Sequence, residues 1–446
     1  MSEPEMVNAY PTKSFFIENF TRDLSLEDVI LDLIDNSIDS FIRNNGIDVS
    51  SNLLFSNSNN DHIHAAKVEI VINDKQFEIS DNSGGIDIDH AVNDVFRFGR
   101  TNTAVKSALG VYGIGLKRAI FKIGKKICVT SKTLTDGFKV DIEVDEWLMN
   151  DDVWKFPLHR TTPASSKEES GTWIRVDKLN EEVSLRIQDP TFLTTLKNYI
   201  SSTYSLFIDK YVNIILNNVK IEPDFIPVSA SEKIIPASYQ KEINGVHIDM
   251  ICGLASRINN EWKQDKAGWY ILCNGRIIVV ADKTELTGWG VYNPQFHSKY
   301  RGFIGTAFFF SDDPSKLPWT TSKRGLNRES KVFQVAQKDM ISLSKAVISF
   351  LNDMYPGEIP EEIAERKAVD NLKRIDISEI INKPTINFQV ELNKSTKERT
   401  TVTVSYKALK NDLYKIRKHL KQPNSYSASS IGKLTFDHYL NTECVE

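Results

Sequence analysis

The feature that most constrains this chain is one amphipathic helix near its start with a polar face built of carboxylates. Ser25, with Asp28 three positions on, forms a near capping box, and LEDVILDLIDNSIDSFIR follows it. Ile30, Leu33, Ile34, Ile38 and Phe41 fall on one face, and Asp28, Asp32, Asn36 and Asp39 on another. Residues three and four apart have Cβ atoms about 5–6 Å from each other, so Asp32, Asn36 and Asp39 project together and the acids repel. Such a face suits a cation or a bound water; a plainly solvated surface is the alternative.

Two glycine-punctuated segments follow. KVEIVIND and KQFEISD alternate as strands of a hairpin that closes on Asp81. A carboxylate at a strand end, followed by small residues as in Asp81-Asn82-Ser83-Gly84-Gly85, can accept a hydrogen bond from an exocyclic amine while a flat base approaches the backbone. An ordinary turn is the alternative. Further on, Gly110-Val111-Tyr112-Gly113-Ile114-Gly115-Leu116-Lys117 leads into a helix, so its amides can cradle phosphate with Lys117 as a counter-charge. It is not a Walker loop, because Gly-Lys-Ser/Thr is missing, and the strand that precedes a dinucleotide fingerprint is missing too.

At 446 residues and 41% hydrophobic, the chain has material for about three structural units. Lys+Arg 55 against Asp+Glu 59 gives a charge of −4, which excludes a globally basic coat and leaves only local patches. Cys128, Cys252, Cys273 and Cys444 lie far apart with no Cys-x-x-Cys pair, arguing against a zinc knuckle, a redox motif or a disulfide scaffold. Neither a signal peptide nor an apolar run of membrane length is apparent, so the expectation is a cytoplasmic protein without membrane contact.

Helix LKRAIFKIG leads into strands KKICVTSKT, GFKVDIEV and TWIRVDKL. The helical segment PTFLTTLKNYISSTYSLFI precedes VNIILNN, HIDMICGLA, GWYILCNGRIIVVA and GFIGTAFFFS, which alternate like strands of a second sheet, so a second α/β domain begins at about Asp189. A long amphipathic helix carrying Val332, Ala336, Met340, Val347 and Leu351 stops at Pro356. Beyond it lie two expected strands, TINFQVEL and TTVTVSY, and a helix with Lys407, Lys410, Lys415, Arg417, Lys418 and Lys421 against Asp412. That helix is either a solvated face or a surface for nucleic-acid phosphates, and SSIGKLTFDHYL looks like a short docking helix. The expected class is α/β, the first domain being an α+β two-layer sandwich, divided at 1–188, 189–356 and 357–446.

In this order and at these spacings, the acid-Asn helix, Asp-x-x-Gly-Gly, Gly-x-x-Gly-x-Gly-x-Lys and strand-borne Gly171-Thr172 resemble the GHKL superfamily: gyrase, the heat-shock chaperone of that class, histidine kinases and MutL. The resemblance covers about Phe15 to Leu179 and implies an ATP–Mg2+ site. It implies Asn36 as the magnesium ligand and Asp32 at the position of the general base. Asp81 would read the adenine amine, with Gly85 giving the base room. FRFGRT, with Gly99, Arg100 and Thr101, is similar to the mobile lid. GVYGIGLK, with Gly110, Gly113, Gly115 and Lys117, is similar to the lid's phosphate-binding end, and Thr172 would support the water network of Asp81. Two departures stand out. Asp32 occupies a position where the family's hydrolases usually carry Glu, so a water held by it must sit closer to the helix, and Ser83 replaces the first glycine of the second box.

No His precedes the first box, so the histidine-kinase branch is not expected. The second domain resembles the transducer domain of MutL, MORC proteins and type II topoisomerases, in which a lysine loop reaches the γ-phosphate. LPWTTSKRGLN resembles that loop, most closely in its MORC form, and implies Lys323; a bare surface turn is the alternative. The implied function is an ATP-dependent conformational switch that homodimerises on binding ATP–Mg2+ and resets by slow hydrolysis. Its partner would be a protein or nucleic acid, and stand-alone bacterial proteins of this type are associated with phage or mobile-element defence. The rivals are a nucleotide-gated module without turnover and a DNA-transacting clamp of MORC or MutL type.

Overall fold

The computed structural model describes residues 12–47, 65–97, 109–110, 113–150, 153–354, 368–381, 384–391, 404–423 and 425–444. The chain divides into two compact units, Met1–Leu392 and Asn393–Glu446.

In the first unit, α2 (Leu26–Asn44) follows α1 (Lys13–Thr21) and starts at Ser25, whose Oγ accepts the Asp28 N–H at 3.2 Å. Ile30, Ile34 and Ile38 on its apolar face are fully buried. Each such side chain contributes about 1.5–3 kcal/mol on leaving water, enough to hold the acidic face in one orientation. α3 (Gly115–Ile123) packs against both α1 and α2.

These helices rest on a sheet of β1 (Ala66–Ile72), β2 (Gln76–Asp81), β3 (Gly124–Lys132), β4 (Gly137–Glu143), β5 (Leu158–Thr161), β6 (Gly171–Leu179), β7 (Val212–Leu216) and β8 (Val219–Lys220). The strand order is β5-β4-β3-β6-β2-β1-β7-β8. Alternating burial along β1, with Ala66, Val68, Ile70 and Ile72 inside, marks one covered face and a two-layer arrangement. The β1–β2 hairpin sets Val68 opposite Asp81, which brings Asp81 to the strand end beneath α2.

The alternation of VNIILNN suggests a strand of the second sheet; the structure instead pairs it, as β7, parallel to β1, from Ala66 opposite Val212 to Ile70 opposite Leu216. Alternation says that a strand has one covered face but not which layer covers it. The helices α4 (Glu181–Gln188), α5 (Phe192–Thr203) and α6 (Ser205–Lys210) form the long return that a parallel pair requires.

The second sheet contains β9 (Val228–Ala230), β11 (Ala237–Ile243), β12 (Val246–Ala255), β13 (Gly268–Cys273), β14 (Arg276–Asp282), β15 (Phe303–Phe310) and β16 (Lys373–Arg374). Its order is β14-β13-β15-β12-β9-β16, with β11 on β12. Every residue of β13 and β15 is buried, and α7 (Lys331–Asp353) packs on β12 and β15. Asn274 and Gly275 turn β13 into β14 with φ of 47° and 82°, the left-handed conformation of a tight hairpin, and so fix the position of Arg276. Pro356, the expected stop of α7, lies outside the described residues.

TINFQVEL shrinks to β17 (Gln389–Val390), which among the described residues pairs with β10 (Ile234–Ile235), itself two residues long. In TTVTVSY, residues 400–403 lie outside the described residues, and 404–406 are exposed and not a strand. The second unit contains α8 (Lys410–His419) and α9 (Ala428–Glu443), which pack together. Among the described residues, no helix is long and apolar enough to cross a membrane.

Candidate functional site

One cavity gathers side chains from α2, the end of β2, β6, the glycine segment ahead of α3, and the loop before α7. Asp32, Asn36, Asp39, Asp81, Thr172 and Lys323 all line it, as do Gly110, Gly113, Gly115 and Lys117.

At one part of the cavity Asp81 accepts the Ser37 hydroxyl at 2.8 Å and the Ser83 N–H at 2.9 Å. Burial pushes its carboxyl up from the ordinary range, against these donors and the Thr172 N–H. The Thr172 hydroxyl meets Ser131 Oγ at 3.0 Å. Glycine is required at 171, where a Cβ would come within 1.8 Å of the Asp81 carbonyl. Gly85, expected to give a base room, does not line the cavity. With φ of 73°, its Cβ would lie 2.2 Å from the Lys132 carbonyl, so the close approach that demands glycine is to the chain itself.

Asp32 is 6% exposed and accepts Arg118 Nη2 at 3.0 Å. Burial pushes its carboxyl up, opposed by Lys323 and Arg118. Asn36 is exposed and lines the cavity, and its side-chain amide makes no hydrogen bond among the described residues. Asp39 accepts the N–H groups of Leu109 and Gly110 at 2.5 and 2.6 Å, tying the glycine segment to α2, and burial pushes it up to about 6.

Lys117, expected as a counter-charge for phosphate, is 1% exposed and donates to the carbonyls of Val95, at 2.8 Å, and Gly113. In this arrangement it braces the glycine segment against the helical turn Ala91–Val95. Gly99, Arg100 and Thr101 lie outside the described residues.

The loop LPWTTSKRGLN is a tight turn. Trp319 bridges Leu326, Thr320 N–H donates to the Gly325 carbonyl at 2.9 Å, and Lys323 sits at φ 55°. Lys323 Nζ reaches Asp35 Oδ2 at 2.5 Å. Asp35, 1% exposed, also accepts the Tyr204 hydroxyl at 2.7 Å and faces Arg276 Nε at 3.1 Å. Burial opposes ionisation of Asp35, yet Arg276 and Lys323 together bring its carboxyl below the ordinary value. Arg276 also donates to the Lys323 carbonyl at 2.9 Å, so both ends of this lysine are tied to one carboxylate. Arg324 points elsewhere, to Ser25 Oγ at 3.0 Å and to Asp28.

Arg118 thus lines the cavity, and Asp35 and Arg276, which do not line it, hold Lys323 in place there; the motif pattern singles out none of the three. Asp35 carried a signal, since it sits between Ile34 and Ile38 near the apolar face, where a carboxylate demands partners. No comparable signal marks the two arginines.

Among the described residues, no group of three or more His, Cys, Asp or Glu side chains is placed to hold a metal ion. One open amide oxygen, that of Asn36, fits magnesium that takes its remaining ligands from polyphosphate and water.

Residues 24–172 match the family model described as histidine kinase-, DNA gyrase B-, and HSP90-like ATPase. No curated protein matches the chain.

Proposed function

We propose that this chain, whose residues 24–172 are a GHKL-type ATPase domain, is an ATP-driven conformational switch in which the second sheet acts as a transducer. The observation that carries the reading is the position of Lys323. It comes from the loop between β15 and α7, yet lines the same cavity as Asp32, Asn36 and Asp81. In this reading Asp81 accepts the adenine amine, Asn36 holds magnesium, and the amides ahead of α3 face phosphate. Asp32 orients and deprotonates water, and Lys323 stabilises charge as the terminal phosphoryl group leaves. Magnesium, when held by Asn36, would supply charge neutralisation to the phosphate oxygens.

Closure would be a change of partner at Lys323, from Asp35 to phosphate, so the domain that follows senses which nucleotide is bound. The same reading makes the closed state a homodimer acting on a macromolecular partner, with phage or mobile-element defence as its setting. A non-hydrolysable ATP analogue should raise the mass in light scattering from monomer to dimer, and ADP should not. An unchanged mass with the analogue would end the switch reading in this form.

A second reading, a gated module that binds ATP without turning it over, is favoured by Asp32, which is short and already taken by Arg118. Steady-state phosphate release by the purified protein decides between the two, and Asp32→Asn should keep ATP bound while abolishing turnover. Stimulation by DNA that fades with salt would favour a DNA clamp, for which Lys410, Lys415 and Lys418 on exposed positions of α8 are candidates.

A further inference from the structure

Arg118 stands on the first turn of α3 and lines the cavity, 9% exposed. Its Nη2 is committed to Asp32. Its Nε is sealed from solvent and has no acceptor among the described residues. A guanidinium presents five donors in a planar fork that matches phosphate oxygens, and a buried donor without an acceptor is costly enough to point to a missing partner.

The neighbours of Arg118 say what kind of partner fits. α3 begins at Gly115 in the cavity wall, so the unpaired amides of its first turn add to the positive potential there. Around Asp81, by contrast, the lining includes Ser37, Ile79 and Ile174, which suit a flat and largely apolar ring. The cavity is therefore polarised into a part for a base and a part for an anion. Of the three cations that act on Asp32, Lys323 has its ammonium on Asp35 and Arg276 has its Nε against the same carboxylate, whereas Nε of Arg118 faces no carboxylate among the described residues.

We propose that Arg118 recognises the terminal phosphoryl group of the nucleotide, using donors that its pair with Asp32 leaves over, and so makes the site prefer triphosphate to diphosphate. The proposal rests on the ATP reading above. One guanidinium would then touch both the residue that orients water and the group the water attacks, which fixes their relative position.

Calorimetric titration of the full chain with magnesium and either ADP or a non-hydrolysable ATP analogue tests this in the parent, Arg118→Lys and Arg118→Gln. The parent should prefer the analogue. In Arg118→Gln that preference should fall by roughly ten-fold or more, the scale of one charge-assisted hydrogen bond, and Arg118→Lys should recover part of it. ADP affinity should stay near the parental value, which also shows that the variants fold. An analogue-to-ADP ratio unchanged in both variants overturns the assignment of Arg118 and leaves the ATP reading standing. Loss of ADP binding in both variants overturns it as well, by making Arg118 a structural residue. A parent that binds neither nucleotide overturns both.

Discussion

Lys323 and Asp35 are 288 positions apart in sequence, and Nζ of the one lies 2.5 Å from Oδ2 of the other. Both are buried, and Arg276 faces the same carboxylate. Removing one member of such a buried cluster leaves uncompensated charge, at about 3–5 kcal/mol. Asp35→Asn strands two cations at once, so its thermal unfolding midpoint should drop well below that of the parent. A variant that melts with the parent would show that the cluster does not hold the loop to α2.

Lys323→Ala is expected to behave differently, because Arg276 and Tyr204 still satisfy Asp35. The fold should survive. Phosphate release should fall strongly while ATP affinity changes modestly, the pattern of an interaction made in the transition state. Arg324→Ala is the control, since that side chain is spent on Ser25 and Asp28. Normal turnover by Lys323→Ala would remove the transducer reading.

At Asp81 the carboxylate accepts the Ser37 hydroxyl and the N–H groups of Ser83 and Thr172, and with about four lone-pair sites it has acceptor capacity left for a further donor. Asp81→Asn turns part of that capacity into a donor facing a donor, at about 1–3 kcal/mol. ATP affinity should fall ten-fold or more in calorimetry, and the parent should bind GTP poorly because its six-position oxygen cannot donate. Unchanged ATP binding by the variant would remove Asp81 from the site.

Asp39 gives a pH signature. Its carboxyl is pushed up to about 6 in the fold from an ordinary 3.8, with burial as the main cause. The folded state therefore holds this proton more tightly than the unfolded chain does. The stabilisation is fully present below about 3.8 and is lost as pH rises through about 6. Thermal midpoints of the parent minus those of Asp39→Asn should decline across that window. A difference that stays flat, or that rises with pH, would contradict the assignment.

What could be read from the sequence was whatever depends on local spacing. The stripe of Ile30, Ile34 and Ile38 against Asp32, Asn36 and Asp39 dictates a helix with one buried face, and the hairpin delivers Asp81 to its end. Lys323 was legible only through resemblance, and the cavity does contain it. What stayed hidden depends on distant partners. Asp35 is defined by Tyr204, Arg276 and Lys323, and Arg118 by Asp32, none of them a neighbour in sequence. Lys117 shows the converse: its place beside the glycines is compatible with phosphate, but nearby carbonyls take its ammonium first.

The parallel pairing of β7 with β1 bears on how this protein can be dissected. A fragment ending at residue 188 would contain every cavity-lining motif except the lysine loop, yet it would strip the neighbour from β1 and expose a row of backbone donors and acceptors. Such a fragment would be prone to stick to copies of itself, and any dimer it formed would say nothing about nucleotide. The smallest piece in which the sheet keeps its own edge runs through β8, to Lys220, and so already includes the buried Tyr204 that holds Asp35.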